Sequence, residues 1–228
     1  MRIRSGIAFF LVFQLFGCAS GGSMKNSGPK MGEEPRPAPP FLLGTDSWDL
    51  AYAGFGAVDF QAPQTIVLSS RRTNSPQLTH GALVLSKRDF PPGGYEVEVE
   101  YKLEAQLRSP APNPWETFWL FTSYQPWPSG KATNYVMVKP NGFEAGKAWS
   151  HEEQSFATTL EKPVLLAGQS AKLRVKVLPY GAMHVFFQGR FVAEVPADKL
   201  YSHGGKLGLY VEDARVTVKA VRVRWLTN

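Results

Sequence analysis

The sequence predicts an all-β sandwich of two antiparallel sheets, on three observations. From Phe41 onward the apolar residues recur with a period of two rather than 3.6. Turn-forming Gly, Pro, Asn and Asp residues interrupt these runs at short intervals. No stretch carries the one-sided apolar stripe of a helix of three turns. About a dozen short strands follow from that spacing, arranged as a sandwich or jelly roll.

Ahead of the strands, Met1-Arg2-Ile3-Arg4 leads into an apolar run from Ile7 to Phe16 and then Gly17-Cys18. A basic start, about ten apolar residues and a small residue before the cut make residues 1–17 a secretory signal, too short to span a bilayer. Leu15-Phe16-Gly17-Cys18 resembles the lipobox of bacterial lipoproteins. The resemblance implies that Cys18 is diacylated and anchors the mature chain in a lipid bilayer, with more than one acyl chain to hold it there. Ala19 and Ser20 lack the aspartate that resembles an inner-membrane retention signal, so the implied address in the cell envelope is the outer membrane of a Gram-negative host. Cys18 is the single cysteine. Its lipidation leaves no disulfide, thiol nucleophile or cysteine metal ligand, and the domain must stand on its core alone.

Residues 18–40 form the lipidated cysteine and a linker rich in Gly, Ser, Pro and charge, with little to bury. As a flexible coil the linker spans about 25 Å, enough to hold a domain over residues 41–228 clear of the headgroups. The formal charge of +6 falls to +4 once Arg2 and Arg4 leave with the signal. No basic cluster accompanies it, which excludes nucleic acid as a partner.

Within the domain, Tyr95-Glu-Val-Glu-Val-Glu-Tyr-Lys-Leu103 alternates apolar and charged residues, and Lys172-Leu-Arg-Val-Lys-Val177 does so with basic partners. Both read as strands with one wet face, placing Glu96, Glu98 and Glu100 opposite Lys172, Arg174 and Lys176. Gln188-Gly189 reads as a two-residue hairpin turn between Val185–Phe187 and Arg190–Val192. Pro140-Asn141-Gly142 and Glu212-Asp213-Ala214 are read as dividing strand pairs in the same way. A change of apolar parity between Val218 and Val221 predicts a β-bulge near Lys219-Ala220.

The stretch NPWETFWLFTSYQPW, Asn113 to Trp127, is apolar on both faces over Phe118–Tyr124. One face supplies inter-sheet core; the other carries Trp119, Phe121 or their neighbours into a space that is not ordinary solvent. Either a loop, including Trp127 and Trp149, covers those rings, or they form a platform for sugar. Flat aromatic faces suit the C–H faces of pyranoses, and polar side chains beside them bind hydroxyls. The candidate stacking residues are Trp115, Trp119, Tyr124, Trp127, Tyr135 and Trp149. The polar candidates are Arg108, Lys139, Asn141, Glu116 and Glu144.

The order of His80-Gly-Ala-Leu-Val-Leu-Ser86, Tyr95–Tyr101, Gln106-Leu-Arg108, Asn113-Pro-Trp-Glu116, Lys139-Pro-Asn-Gly142, Glu144-Ala-Gly-Lys147 and Lys206-Leu-Gly-Leu-Tyr-Val-Glu-Asp213 resembles the concanavalin A-like lectin/glucanase superfamily. Within it, the chain is similar to laminin-G-like and 3-keto-disaccharide hydrolase-type domains of bacterial envelope proteins. The resemblance implies a jelly-roll β-sandwich and a glycan partner. It does not separate enzyme from lectin or adhesion module, because one fold hosts all three.

The glucanase branch sets its carboxylates as Glu-x-Asp-x-x-Glu, a pattern this sequence lacks. A glycoside hydrolase here would need another pair, and Glu116 with Glu144 are the candidates because aromatics surround both. The alternative for Glu116 is a structural bond to Arg108 or to a backbone N–H. A protein-binding scaffold with every ring in the core is the third possibility. His80, His151, His184 and His203 are isolated, so no metal site is expected from them. Relatives of the fold hold a structural Ca²⁺ through loop oxygens, for which Asp59 and Asp213 are the candidates here; no other cofactor is expected.

Overall fold

A computed structural model describes residues 39–54, 56–72, 80–127, 130–149 and 154–226; the side chains at 126, 127, 130, 131 and 149 lie outside the description. The chain divides into two units at Pro35, and the described residues belong to the second, Arg36–Asn228. The signal, Cys18, His151 and nearly all of the linker therefore fall outside the described residues.

The alternation builds two antiparallel sheets. In the first, the order is β13 (Arg190–Val195), β12 (Met183–Phe187), β11 (Ser170–Val177), β6 (Tyr95–Gln106), β15 (Ala214–Trp225), β4 (Thr65–Ser70) and β3 (Gly56–Gln61), with β1 (Phe41–Leu42) on the far half of β15. In the second, the order is β10 (Gln154–Leu160), β9 (Gly142–Trp149), β8 (Gly130–Lys139), β7 (Phe118–Trp127), β14 (Gly205–Glu212), β5 (Gly81–Phe90) and β2 (Trp48–Tyr52). Among the described residues the only helices are single 3-10 turns at Thr45–Ser47 and Ala197–Lys199.

The odd-numbered residues of β6, Tyr95 to Leu103, face the second sheet and are wholly buried with Val175, Val216, Val218 and Val223. Opposite them lie Val84, Phe118, Leu120, Val136, Phe143 and Leu209. Burying each such Val, Leu or Phe contributes about 1.5–3 kcal/mol, which is how the fold stands without a disulfide. Even the phenol of Tyr95 is satisfied across the gap, donating to the Thr122 carbonyl at 2.5 Å.

The wet face of β6 pairs as expected: Lys172 lies opposite Glu100, Arg174 opposite Glu98 and Lys176 opposite Glu96. Lys172 Nζ is 3.2 Å from Glu100 and Lys176 Nζ is 3.8 Å from Glu96. Arg222 and Arg224 of β15 flank the same glutamates from the other side. The bulge in β15 falls between Val218 and Ala220.

The turns at Gln188-Gly189 and Asn141-Gly142 join hydrogen-bonded neighbours, as read. Glu212-Asp213-Ala214 does not. It carries the chain from β14 in the second sheet to β15 in the first, so it is a crossing between layers and not a hairpin. Asp213 holds φ at +41° there, and its N–H donates to the His80 carbonyl at 2.8 Å.

Candidate functional site

Because side chains alternate, Phe118 and Leu120 of β7 enter the core while Trp119 and Phe121 stand on the outer face of the second sheet. A register shift between Phe121 and Gln125 turns Tyr124 to that same outer face. Neighbouring strands add Leu83 from β5, Tyr210 from β14, and Tyr135 and Met137 from β8.

The rings form a continuous row. Tyr135 and Trp119 lie 5.0 Å apart, Trp119 meets Tyr210 edge-on at 6.0 Å, Tyr210 stacks on Phe121 at 5.5 Å, and Phe121 lies parallel to Tyr124 at 6.2 Å. Each such pair contributes about 0.5–1.5 kcal/mol beyond its buried area. Two glycines let the rings lie down on the sheet. A Cβ at Gly81 would stand 2.6 Å from the Tyr210 ring, and one at Gly208 would stand 2.9 Å from Phe121. Trp119, Phe121, Tyr124 and Tyr135 are nevertheless at most 8% exposed, so most of this row offers no stacking surface.

The row opens at one end. A cleft of about 360 Å³ there is lined by Trp115, Trp119, Met137, Lys139, Glu144, Gln154, Phe156 and Glu212. Trp119 is its floor. Trp115 and Phe156 are its walls, with 42% and 60% of their surfaces exposed. The indole N–H of Trp119 donates to the Trp115 carbonyl at 3.4 Å and ties floor to wall.

Polar groups converge on Glu144. Its Oε1 accepts from the Tyr135 hydroxyl at 3.0 Å and from Gln154 Nε2 at 2.8 Å, while Lys139 Nζ donates to Oε2. Gln154 Nε2 also donates to the Tyr135 hydroxyl, at 2.8 Å. Burial raises the pKa of that phenol above its ordinary value, so Tyr135 keeps its proton and donates. Glu212, half-buried at the end of β14, has its pKa pushed up to about 7. Burial is the main cause; the charge of Asp213 and, more weakly, that of Glu116 add to it, against Arg108.

Arg108 and Glu116 serve a different structure beside the cleft. The Glu116 carboxylate is wholly buried, accepting from Arg108 Nε at 3.1 Å and from the Asn113 N–H at 2.6 Å. A second Arg108 nitrogen, Nη2, donates to Asp213 Oδ2, and the His80 N–H donates to Asp213 Oδ1 at 2.9 Å. This knot fastens the loop after β6, which carries Trp115, to the crossing between the sheets. Both Asp213 oxygens thus accept hydrogen bonds, and Asp59 is exposed on β3, where it accepts from Gln61 Nε2 at 2.7 Å. Among the described residues no group of three or more His, Asp or Glu side chains is placed to hold a metal ion.

The structure thus gathers Trp115, Trp119, Lys139 and Glu144 in one cleft, with Tyr135 beneath it. Tyr124 lies further along the ring row, away from the opening, and Asn141 is exposed at the β8–β9 turn. The backbones of Trp127 and Trp149 belong to β7 and β9, but their side chains lie outside the description. Glu116 does not face Glu144 across the cleft. Glu144 and Glu212 do share it, on β9 and β14, which are three strand spacings or about 14 Å apart at the backbone.

The fold is a jelly-roll-like sandwich of two antiparallel sheets. No protein-family model matches the chain, and no curated protein matches it. Solved structures do. A carbohydrate-binding module, CBM66 from Bacillus subtilis, superposes with a TM-score of 0.56 at 13% identity over 78% of this chain and 95% of its own. The exoplasmic/lumenal domain of VIP36, in its Ca2+/Man3GlcNAc-bound form, gives 0.55 at 10% identity over 81% and 85%. A native glycosidic hydrolase gives 0.54 at 10% identity over 83% and 96%. At these identities the likeness concerns the fold.

Proposed function

We propose that this chain is a carbohydrate-binding protein of the bacterial envelope, lipid-anchored through Cys18 and probing glycans with the cleft between Trp115 and Phe156. One observation carries the reading. Two solvent-exposed aromatic walls flank Lys139, Glu144, Gln154 and Glu212 in a cleft of about 360 Å³. Ligand pockets span about 300–1,000 Å³, so this one suits one or two sugar rings. Ring faces take the apolar side of a pyranose, carboxylates accept its hydroxyls, and Gln154 and Lys139 donate to its oxygens. The fold likeness to CBM66 and to the glycan-bound VIP36 domain supports the same class of ligand.

The test is a tryptophan-fluorescence titration of the purified protein with a glycan panel that includes peptidoglycan fragments. Saturable quenching is expected. Trp115→Ala should weaken binding at least tenfold, as loss of a stacked aromatic anchor does, while circular dichroism stays unchanged. Failure of every glycan to bind ends the reading. Release of new reducing ends from a bound glycan would replace it with a hydrolase. Fatty-acid labelling that depends on Cys18 in a bacterial host tests the anchor.

A further inference from the structure

We propose that the sandwich carries a second saccharide site, at the edge where β13 meets the segment after β10, and that this site takes a carboxylate-bearing sugar. It rests on the carbohydrate reading above and deepens it, naming an acidic, uronate-containing polysaccharide as the ligand class.

A second cleft, of about 570 Å³, lies at that edge. Phe187 and Val192 line its inner side and belong to or pack on the core. Phe191 stands at its mouth, 58% exposed. That ring is held by edge-on contacts, 5.5 Å from Phe186 and 5.7 Å from His184, so the surface it offers is fixed. A fixed, exposed ring is a stacking platform obtained without ordering a mobile side chain.

Charge distinguishes this cleft from the first. Lys162, from the segment after β10, and Arg190, from β13, both line it and are exposed, and neither forms an ion pair among the described residues. No carboxylate lines it among the described residues. Several cations elsewhere on the sandwich sit beside acids, Lys172, Arg174 and Lys176 on the β6 glutamates and Lys139 on Glu144, while Arg88 and Lys147 lie over the rings of Phe41 and Tyr201. The Gln188-Gly189 turn, with φ of +51° and +77°, sets Arg190 at the start of β13. Its guanidinium can take a carboxylate through two parallel N–H bonds, with the Lys162 ammonium as a second charge.

The two clefts follow one strand. Phe156 lies in β10 and lines the first; Lys162 follows β10 and lines the second. Six residues of extended chain separate them, about 20 Å. An oligosaccharide, and not a single sugar, bridges that distance.

The test is calorimetric titration of the purified protein with an oligogalacturonide and with the same oligosaccharide after its carboxyls are reduced to alcohols. The parent is expected to bind the acidic form about tenfold tighter at low salt, the scale of one charge-assisted contact. Combined Lys162→Gln and Arg190→Gln should bring the acidic form down to the affinity of the reduced one; both side chains are exposed, so the variant folds. The proposal is overturned if that variant binds the acidic form as tightly as the parent does, or if the parent binds neither form. Trp115→Ala separates the two readings. Weaker binding of both forms supports the first cleft; unchanged binding, with the acidic form still lost in the double variant, removes the first cleft and leaves the edge site standing.

Discussion

Replacing Glu212 by glutamine keeps the shape of the cleft and removes an ionisation that burial has displaced. The Glu212 pKa is raised from 4.5 to about 7 in the folded protein. Between those values the folded chain holds a proton that the unfolded chain has released, so stability falls as pH rises through that window. Below 4.5 both states are protonated and the group contributes its full share; above 7 that share is gone. A displacement of this size corresponds to about 3 kcal/mol between the two limits. Parent and Glu212→Gln are therefore expected to unfold at similar urea concentrations near pH 4.5. Near pH 8 the variant should be the more stable, by up to about 3 kcal/mol. Urea denaturation followed by intrinsic fluorescence, repeated across pH 4.5–8, measures the gap. Titrating groups that do not interact with Glu212 are common to both proteins and cancel in the difference. A gap that stays constant with pH would refute the argument, because it would mean that Glu212 ionises as it does in water and that the cleft floor is not desolvated.

Arg108→Met leaves Glu116 and Asp213 buried together without their counter-charge, and should cost about 3–5 kcal/mol in a urea titration at neutral pH. A loss below about 1 kcal/mol would show that the two carboxylates find water instead. Gly146→Ala is expected to fail locally: its Cβ would stand 2.1 Å from the Ser155 carbonyl, so β10 must shift away from β9. About 1–3 kcal/mol of stability should go, and amide exchange in β10 should quicken while β7 and β14 stay protected.

Much of the architecture was legible because alternation is a local property. The charged rungs of β6 and β11 can be recognised as neighbours from their sequences, and the structure supplies the register, with Lys172 opposite Glu100 and Lys176 opposite Glu96. Parity implies that one of two alternating sets in β7 faces outward, and the structure makes it Trp119 and Phe121; the bulge that swings Tyr124 to the same face leaves no local mark. The crossing at Asp213 looks like a hairpin in the sequence because a short polar turn is alike in both settings. What sends the chain to the other sheet is non-local, through Arg108 and His80. The same limit explains the cleft. Trp119, Lys139 and Glu144 stand out as polar or aromatic residues inside apolar strands, and Trp115 as an aromatic just ahead of one. Glu212 looked like part of a turn, and Gln154 and Phe156 sit in a stretch, Gln154-Ser-Phe-Ala-Thr-Thr159, without a distinct pattern. They join the site only because β14 pairs with β7 and β10 closes the far edge of the sheet.

The cleft draws its floor from strands held on both sides and one of its walls from a strand held on a single side. Trp119 and Met137 sit on β7 and β8, each bonded to two neighbours, whereas Gln154 and Phe156 sit on β10, which is bonded only to β9. A substitution in the floor disturbs two ladders and the ring row above them; one in β10 disturbs a single ladder at the rim. Mutational drift is thus tolerated unequally across one site. A lineage carrying this domain can reshape one wall of the cleft by rewriting a few residues of an edge strand, while the sheet that supports them stays as it is.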